Sequence, residues 1–253
     1  MTETYRFAVL GDPVDHSRSP AIHQEAFRLA DLTGEYLAIR ADERKLIASV
    51  EEMRAGRFDG LNITMPLKEV AANLCQMPGA LNTLRSRDNK VQGISTDTVV
   101  LKELLSSEGF RELTSILILG SGGSALSAMA AIEGQNVYIS GRNVERVSAI
   151  AADREGVSVV PWGTGVAGAV VVNCTPIGMA SDAIPDLVVG AGGALVDLPY
   201  GPPRTPAVMA ALDSAIPVVD GYEFLARQAA ASFEWWTGIA VDFEPLADVA
   251  RNV

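Results

Sequence analysis

The sequence predicts an α/β protein built as two domains, and three observations carry that prediction. Short apolar runs of strand length alternate with helical patterns along almost the whole chain. A glycine-rich turn, Gly120-Ser121-Gly122-Gly123-Ser124-Ala125, stands between one such run and an alanine-rich helix. The 253 residues suffice for two domains of ordinary size or one large one.

Taken in order, RFAVLG (Arg6 to Gly11) reads as a strand and SPAIHQEAFRLADL (Ser19 to Leu32) as a helix. Ser19 suits its N-cap and Pro20 its first helical position. EYLAIR is a second strand, and DERKLIASVEEMRAG a helix ending at Gly56. DGLNIT is the third strand, and Pro66 just beyond it cannot continue a central strand. ALNTLRSRDNKVQGIST reads as two strands joined by a turn through Asp88-Asn89, followed by a helix from about Asp97 to Ser107. A second unit opens at SILILGSGGSALSAMAAIEGQNVYISGR, a strand–turn–helix–strand series that implies parallel strands and a right-handed crossover. VSVVP, GAVVVNCTP, GALVDLPY and IPVVDG continue as short apolar runs of the kind buried on both faces of a parallel sheet. TPAVMAAL has Thr205 as N-cap and Pro206 at the first helical position. YEFLARQAAASFEWWTG is a final helix closed by Gly238, and it is expected to return and pack on the first unit.

Composition narrows the classes of function. Hydrophobic content of 48% and charged content of 20% describe a globular chain, not a disordered one. A net charge of −11 argues against a nucleic-acid partner, which wants a basic face, but not against a small anionic ligand. Cys75 and Cys174 lie far apart and fit no metal spacing, and two histidines do not complete a zinc site, so no metal is expected. The polar start MTETYR does not resemble a signal peptide, and no run of about 18 apolar residues offers a membrane span. A cytoplasmic protein with no membrane partner is the expectation.

The glycine turn has a chemical reading. Gly120, Gly122 and Ala125 make the G-x-G-x-x-A form of the dinucleotide fingerprint: a tight turn, close backbone approach to pyrophosphate, and close helix–strand contact. The helix that follows offers N–H groups and a positive dipole end to phosphates. Some 20 residues on, an NAD site carries Asp or Glu for the ribose hydroxyls. Here the chain reads Ser140-Gly141-Arg142-Asn143, with Arg146 following. Arg142 taken alone suits a solvated surface charge as well as a 2′-phosphate; the missing carboxylate tilts the choice to NADP.

In the first unit, small polar residues gather where strands meet helices: Ser17 and Ser19, Asn62 and Thr64, Asn82 and Thr83, Thr96 and Asp97. Each has a local explanation as a cap or a backbone partner. Their shared position is harder to dismiss, because such ends line one crevice in open α/β sheets. Lys68 follows Pro66 at one of these ends, and a lysine there is either a solvated charge or a working group. Hydroxyls and amides beside one Lys–Asp pair suit a small polyhydroxylated substrate.

HSRSP…H, NITMPLK, GALNT, STD, GSGGSA, NCTPIGM, DLPYGPPRTP and GYEFLARQAAASFEWWTG together resemble the shikimate dehydrogenase family, in the family's order and through nearly the whole chain. The resemblance implies an N-terminal α/β substrate domain completed by C-terminal helices, residues 1–98 plus 222–253, and a Rossmann NADP-binding domain over 99–221. It implies reversible reduction of 3-dehydroshikimate to shikimate with NADPH, a step of aromatic amino acid biosynthesis. Lys68 would be the acid/base lysine and Asp97 its carboxylate partner; Ser17, Ser19, Asn62, Thr64, Asn82, Tyr200 and Gln228 would touch substrate. Gly120, Gly122, Gly123, Ser124, Ala125, Arg142, Asn143, Arg146, Thr175, Gly221 and Phe224 would hold the cofactor. A monomer or homodimer is expected. The residues permit this chemistry unaided: ketone reduction needs a hydride donor on one face and a proton donor at the oxygen, and Lys68 held by Asp97 can supply the proton.

The chain departs from the family pattern in several places. The segment between Lys68 and Asn82 is short, Ser95 stands where asparagine is common, and Gly141-Arg142-Asn143 replaces the usual Asn-Arg-Thr. Phe224 takes a position often held by methionine, a swap of similar volume. Trp235 and Trp236 read as packing rather than a ligand platform, and so do His16 and His23. Two other readings stay open: a relative that oxidises quinate or prefers NAD, and a dinucleotide-binding sensor that has lost the chemistry. Retention of both Lys68 and Asp97 speaks against the sensor.

Overall fold

The computed structural model describes residues 4–152, 154–180, 182–201 and 203–253. In chain order the elements are β1 (Thr4–Gly11), α1 (Ser19–Leu29), β2 (Thr33–Arg40), α2 (Glu43–Arg54), β3 (Gly60–Ile63), α3 (Lys68–Leu74), β4 (Thr83–Arg87), β5 (Lys90–Ile94) and α4 (Thr96–Leu105). There follow β6 (Ser115–Leu119), α5 (Gly123–Ala131), β7 (Asn136–Ser140), α6 (Val144–Ala151), β8 (Val157–Val159), β9 (Val170–Asn173) and α7 (Asp186–Ala191). The chain ends with β10 (Ala194–Asp197), α8 (Pro206–Asp213), β11 (Val218–Val219), α9 (Gly221–Thr237) and α10 (Phe243–Asn252). They form two units, Met1–Val99 with Leu225–Val253, and Val100–Phe224.

The first unit is a mixed sheet in the order β2-β1-β3-β4-β5. β1 pairs in parallel with β2 and with β3, while β3, β4 and β5 form an antiparallel meander. Asp88 and Asn89 make its tip with φ of 53° and 58°, the left-handed pair that a two-residue hairpin needs. On one face α2 buries Leu46, Ser49, Val50 and Met53, an i, i+3, i+4, i+7 stripe, against Leu10, Ile63 and Leu84. Asp42 caps that helix by accepting from Lys45 N at 2.8 Å, and Gly56 ends it at φ 76°. On the other face an aromatic stack forms: Phe7 lies 4.3 Å from Trp236 and 5.7 Å from Phe27, and Phe27 meets Phe233 edge-on. α9 therefore returns its C-terminal half to this unit, with Gly238 at φ 75° closing it.

In this unit two expectations need correction. Ser19 is not the cap of α1: it is already helical, Arg18 is the N-cap, and Ser17 Oγ instead accepts from Ser19 N at 3.3 Å. A hydroxyl two residues earlier takes the orphan N–H, and Pro20 brings no donor that would need one. YEFLARQAAASFEWWTG is not the last helix: beyond Gly238 the chain continues into α10, capped by Asp242 and burying Leu246, Ala247 and Ala250.

The second unit is a fully parallel sheet in the order β11-β10-β9-β6-β7-β8. The order runs outward in both directions from β6 and β9, which makes their junction the topological switch point of a doubly wound sheet. Alternate residues face two cores. Ile116, Ile118, Val170, Val172 and Val196 point to one, and Leu117, Leu119, Val171 and Leu195 to the other. β9 and β10 are wholly buried. β8 and β11 are not, contrary to expectation, because each is an edge strand with a neighbour on one side only. Thr205 caps α8 as its sequence predicts, accepting from Val208 N at 3.2 Å. Among the described residues no helix is long and apolar enough to cross a membrane.

Candidate functional site

In the first unit the chemistry gathers at the C-terminal ends of β1 and β3. A Cβ on Gly11 would lie 2.3 Å from Thr64 Cγ2, so only glycine lets these two strand ends approach so closely. Lys68 opens α3, and its Nζ lies 2.6 Å from Asp97 Oδ2. The two side chains are 14% and 5% exposed, so this is a partly desolvated pair and not a surface bridge. Asp97 sits in the first turn of α4, where a helix dipole favours a carboxylate, whereas a lysine in the first turn of α3 runs against that preference. A side chain placed against its local rule and held by a buried partner is a mark of function.

Asn82 ties the pair to its surroundings. Its Nδ2 donates to Thr96 Oγ1 at 2.8 Å, to Asp97 Oδ1 at 3.1 Å and to Gln228 Oε1 at 3.3 Å. Its Oδ1 accepts from Thr96 N at 2.7 Å. Ser95 Oγ accepts from Thr98 N at 3.2 Å, so a serine at this position still serves the start of α4.

Asn62, like Asn82, is buried in a polar network. It is 6% exposed and its amide is already engaged. Oδ1 accepts from Tyr36 OH at 2.7 Å; Nδ2 donates to Asn82 O, Thr83 Oγ1 and Ser232 Oγ at 2.9–3.0 Å. Ser232, one turn after Gln228 on α9, is a member that sequence reasoning missed. Tyr36 stacks on His23 with ring centroids 4.1 Å apart, and both are buried. Burial drives the His23 imidazole down to about 3, only partly offset by Asn62, so it is neutral and structural. Trp236 Nε1 donates to Leu84 O at 3.0 Å and Arg85 lies 4.1 Å over the Trp235 ring, so both indoles pack. Thr64 is half-buried, and Ser17 and Ser19 stand at the start of α1.

In the second unit Gly120, after β6, has φ 118°, and an added Cβ would press on the Cys174 backbone at 3.3 Å. Gly122 is the N-cap of α5, with no side chain capping the helix and open space where its Cβ would project. Gly123, Ser124 and Ala125 form the first turn, and Ala125 is fully buried against the sheet. A helix start left uncapped, under a turn without side chains, fits a pyrophosphate. Arg142 is exposed after β7, Asn143 Oδ1 caps α6 from Arg146 N at 3.0 Å, and Arg146 Nε donates to Ser121 O of the glycine turn. Thr175 follows β9 across the switch point. Tyr200 is half-buried with its ring 5.6 Å from Tyr222; Gly221 starts α9, and Phe224 packs into the core of this unit.

The first sheet carries a held lysine–carboxylate pair and the second a dinucleotide turn, the equipment of a nicotinamide-dependent oxidoreductase. Comparison with known proteins narrows the class. Residues 9–84 match the profile described as the shikimate dehydrogenase substrate binding domain, and 221–251 that of the shikimate 5'-dehydrogenase C-terminal domain. A shikimate dehydrogenase (NADP(+)) from Anaeromyxobacter sp. (strain Fw109-5) is 35% identical, covering 94% of this chain and 92% of its own. One from Thermus thermophilus is 33% identical, over 98% of both. A crystal structure of shikimate 5-dehydrogenase from Thermus thermophilus, solved in complex with NADP(H) and shikimate, superposes with a TM-score of 0.85. That match has 32% identity and covers 98% of this chain and 99% of the other. The chain belongs to the shikimate dehydrogenase family.

Proposed function

We propose that this protein is an NADP-dependent shikimate dehydrogenase that reversibly reduces 3-dehydroshikimate to shikimate, within aromatic amino acid biosynthesis. The observation that carries the reading is the pair of Lys68 and Asp97, 2.6 Å apart and nearly buried, in a family whose named relatives do this chemistry. The unit of Met1–Val99 with Leu225–Val253 is the substrate unit, and Val100–Phe224 the cofactor unit.

NADPH, when bound, supplies the hydride. The chain's own residues manage the rest. Lys68 donates a proton to the ketone oxygen as the hydroxyl forms, and in reverse takes that proton from the hydroxyl. Asp97 holds Lys68 Nζ in place, and Asn82 holds Asp97. Ser17 and Ser19 suit the ring carboxylate, while Thr64, Asn82 and Gln228 suit its hydroxyls. The glycine turn with Gly123, Ser124 and Ala125 receives the pyrophosphate. Arg142 and Arg146 favour the 2′-phosphate, which selects NADP over NAD. The protein works as a cytoplasmic monomer or homodimer.

The test is NADPH oxidation followed by absorbance with 3-dehydroshikimate, beside NADH and 3-dehydroquinate. Fast turnover confined to NADPH with 3-dehydroshikimate supports the reading. Preference for NADH or for 3-dehydroquinate replaces it with the quinate-type relative, and NADPH binding without turnover replaces it with a sensor.

A further inference from the structure

Two buried polar residues of the second unit have no part in the scheme above. Asn173 ends β9 and Asp197 ends β10, each with no exposed surface, and the sheet register sets them side by side. Leu119, the last residue before the glycine turn, is Asn173's partner on the other side. The two side chains thus lie one and two strands from the phosphate turn, at the ligand-binding end of the sheet.

Their hydrogen bonds run in one direction. Asp197 Oδ2 accepts from Thr205 Oγ1, and Oδ1 accepts from Asn173 Nδ2 at 2.7 Å. With its Nδ2 donating to the carboxylate and, at 3.3 Å, to Ile177 O, Asn173 turns Oδ1 to the start of the following loop. There Oδ1 accepts from Thr175 N at 3.1 Å and Thr175 Oγ1 at 2.6 Å, and Thr175 Oγ1 in turn accepts from Ile177 N at 3.2 Å. The loop so tied lies against the glycine turn, since the nearest atoms to a Cβ on Gly120 would be those of Cys174 and Thr175. Gly178, at φ 108°, closes the loop against Thr205, the residue that also donates to Asp197.

We propose that Asp197 is a positioning residue for the cofactor: through Asn173 it fixes loop 174–178 against the glycine turn and so sets the affinity for NADP(H). This rests on the reading of the second unit as the cofactor unit. Asp197 acts on the loop through Asn173 and through Thr205, which lies against Gly178, and among the described residues it touches nothing of the Lys68 site. Its removal therefore acts on cofactor binding and leaves the Lys68 chemistry intact.

The experiment titrates NADPH by fluorescence into the wild type, Asp197→Asn, and the double variant Asp197→Asn with Asn173→Asp. In the single variant two amides face each other, and only the longer bond to Ile177 O still favours the native orientation of Asn173. In the double variant the amide and carboxylate change places. The carboxylate now at position 173 accepts from Thr175 and from the amide now at position 197, whose oxygen still accepts from Thr205; only the longer bond to Ile177 O is lost. The single variant is expected to bind NADPH about tenfold more weakly, a loss of about 1.4 kcal/mol. Its kcat at saturating cofactor and its KM for shikimate stay within about twofold. The exchange should restore affinity to within about threefold of wild type, a recovery that a general loss of packing would not give. An Asp197→Asn variant that binds NADPH as the wild type does overturns the proposal, and so does a folded double variant that binds no better than the single one. Should the single variant not fold, the double variant decides alone: near wild-type affinity supports the proposal and tenfold weaker binding overturns it. A wild type that binds no NADPH overturns the cofactor reading, and this proposal with it.

Discussion

At the scale of the residue, the site separates groups that can reach a ligand from groups that hold those groups. Lys68 is of the first kind: its Nζ is held by one carboxylate, and its side chain keeps some exposure. Replacing it with alanine removes the proton donor but little binding surface. The expected result is a fall in kcat of about 10²–10⁴-fold with a small change in KM for shikimate, read by steady-state kinetics. An unchanged kcat removes Lys68 from the mechanism. Asn62, which the family resemblance sets against substrate, also holds its neighbours. Its amide spans Tyr36, Asn82, Thr83 and Ser232, so Asn62→Leu strands several buried polar atoms at once. The expected loss is about 2–4 kcal/mol of stability by urea denaturation, with KM for shikimate moving less than kcat as Asn82 and Asp97 lose their setting. A rise in KM alone would make Asn62 a direct contact. The motif NITMPLK marks both residues equally; only the pairing with Tyr36 and Ser232, 26 residues before and 170 after, separates their roles.

At the scale of the element, strands and helices are legible wherever local chemistry and burial agree. The Asp88-Asn89 turn, the Asp42 region, the Thr205–Pro206 helix start and the stops at Gly56 and Gly238 all declare themselves by residue type. α10 does not, because its buried stripe of Leu246, Ala247 and Ala250 is only one large side chain wide. Edge status of β8 and β11 is equally hidden, since strand order is a property of the sheet and not of the run. The turn between β7 and α6 shows how element and chemistry meet. Asn143 is spent on capping α6 and Arg146 reaches back to the glycine turn, which leaves Arg142 exposed at the strand end. Arg142→Ala should therefore raise the dissociation constant for NADPH by about tenfold or more and leave that for NADH nearly unchanged, measured by titration with each. Equal weakening of both would take the 2′-phosphate away from Arg142.

At the scale of the whole molecule, His23 in the first unit and Asp197 in the second are buried in environments that oppose their charge, and the two respond to acid in opposite senses. His23, in the first unit, falls from 6.5 to about 3 because burial excludes the imidazolium. Unfolded chains therefore bind the proton more readily, and this contribution to stability is full above pH 6.5 and lost as pH falls below it. Between pH 7 and 5 the loss is about 2 kcal/mol. Asp197, in the second unit, rises from 3.8 to about 6, chiefly through burial, with Asp220 adding to it against hydrogen bonds from Thr205 and Asn173. Here the folded state binds the proton more readily, so this contribution to stability is greatest below pH 3.8 and is lost as pH rises through 6. Acidification from pH 7 to 5 returns about 1 kcal/mol. Calorimetry of the wild type, His23→Phe and Asp197→Asn at about pH 7 and pH 5 tests both signs. His23→Phe should lose less stability on acidification than the wild type, and Asp197→Asn should lose more. If His23→Phe is as acid-sensitive as the wild type, the imidazole is not the group that limits the first unit. A shift of Asp197→Asn in the opposite direction would mean that its carboxylate is ionised without penalty in mild acid.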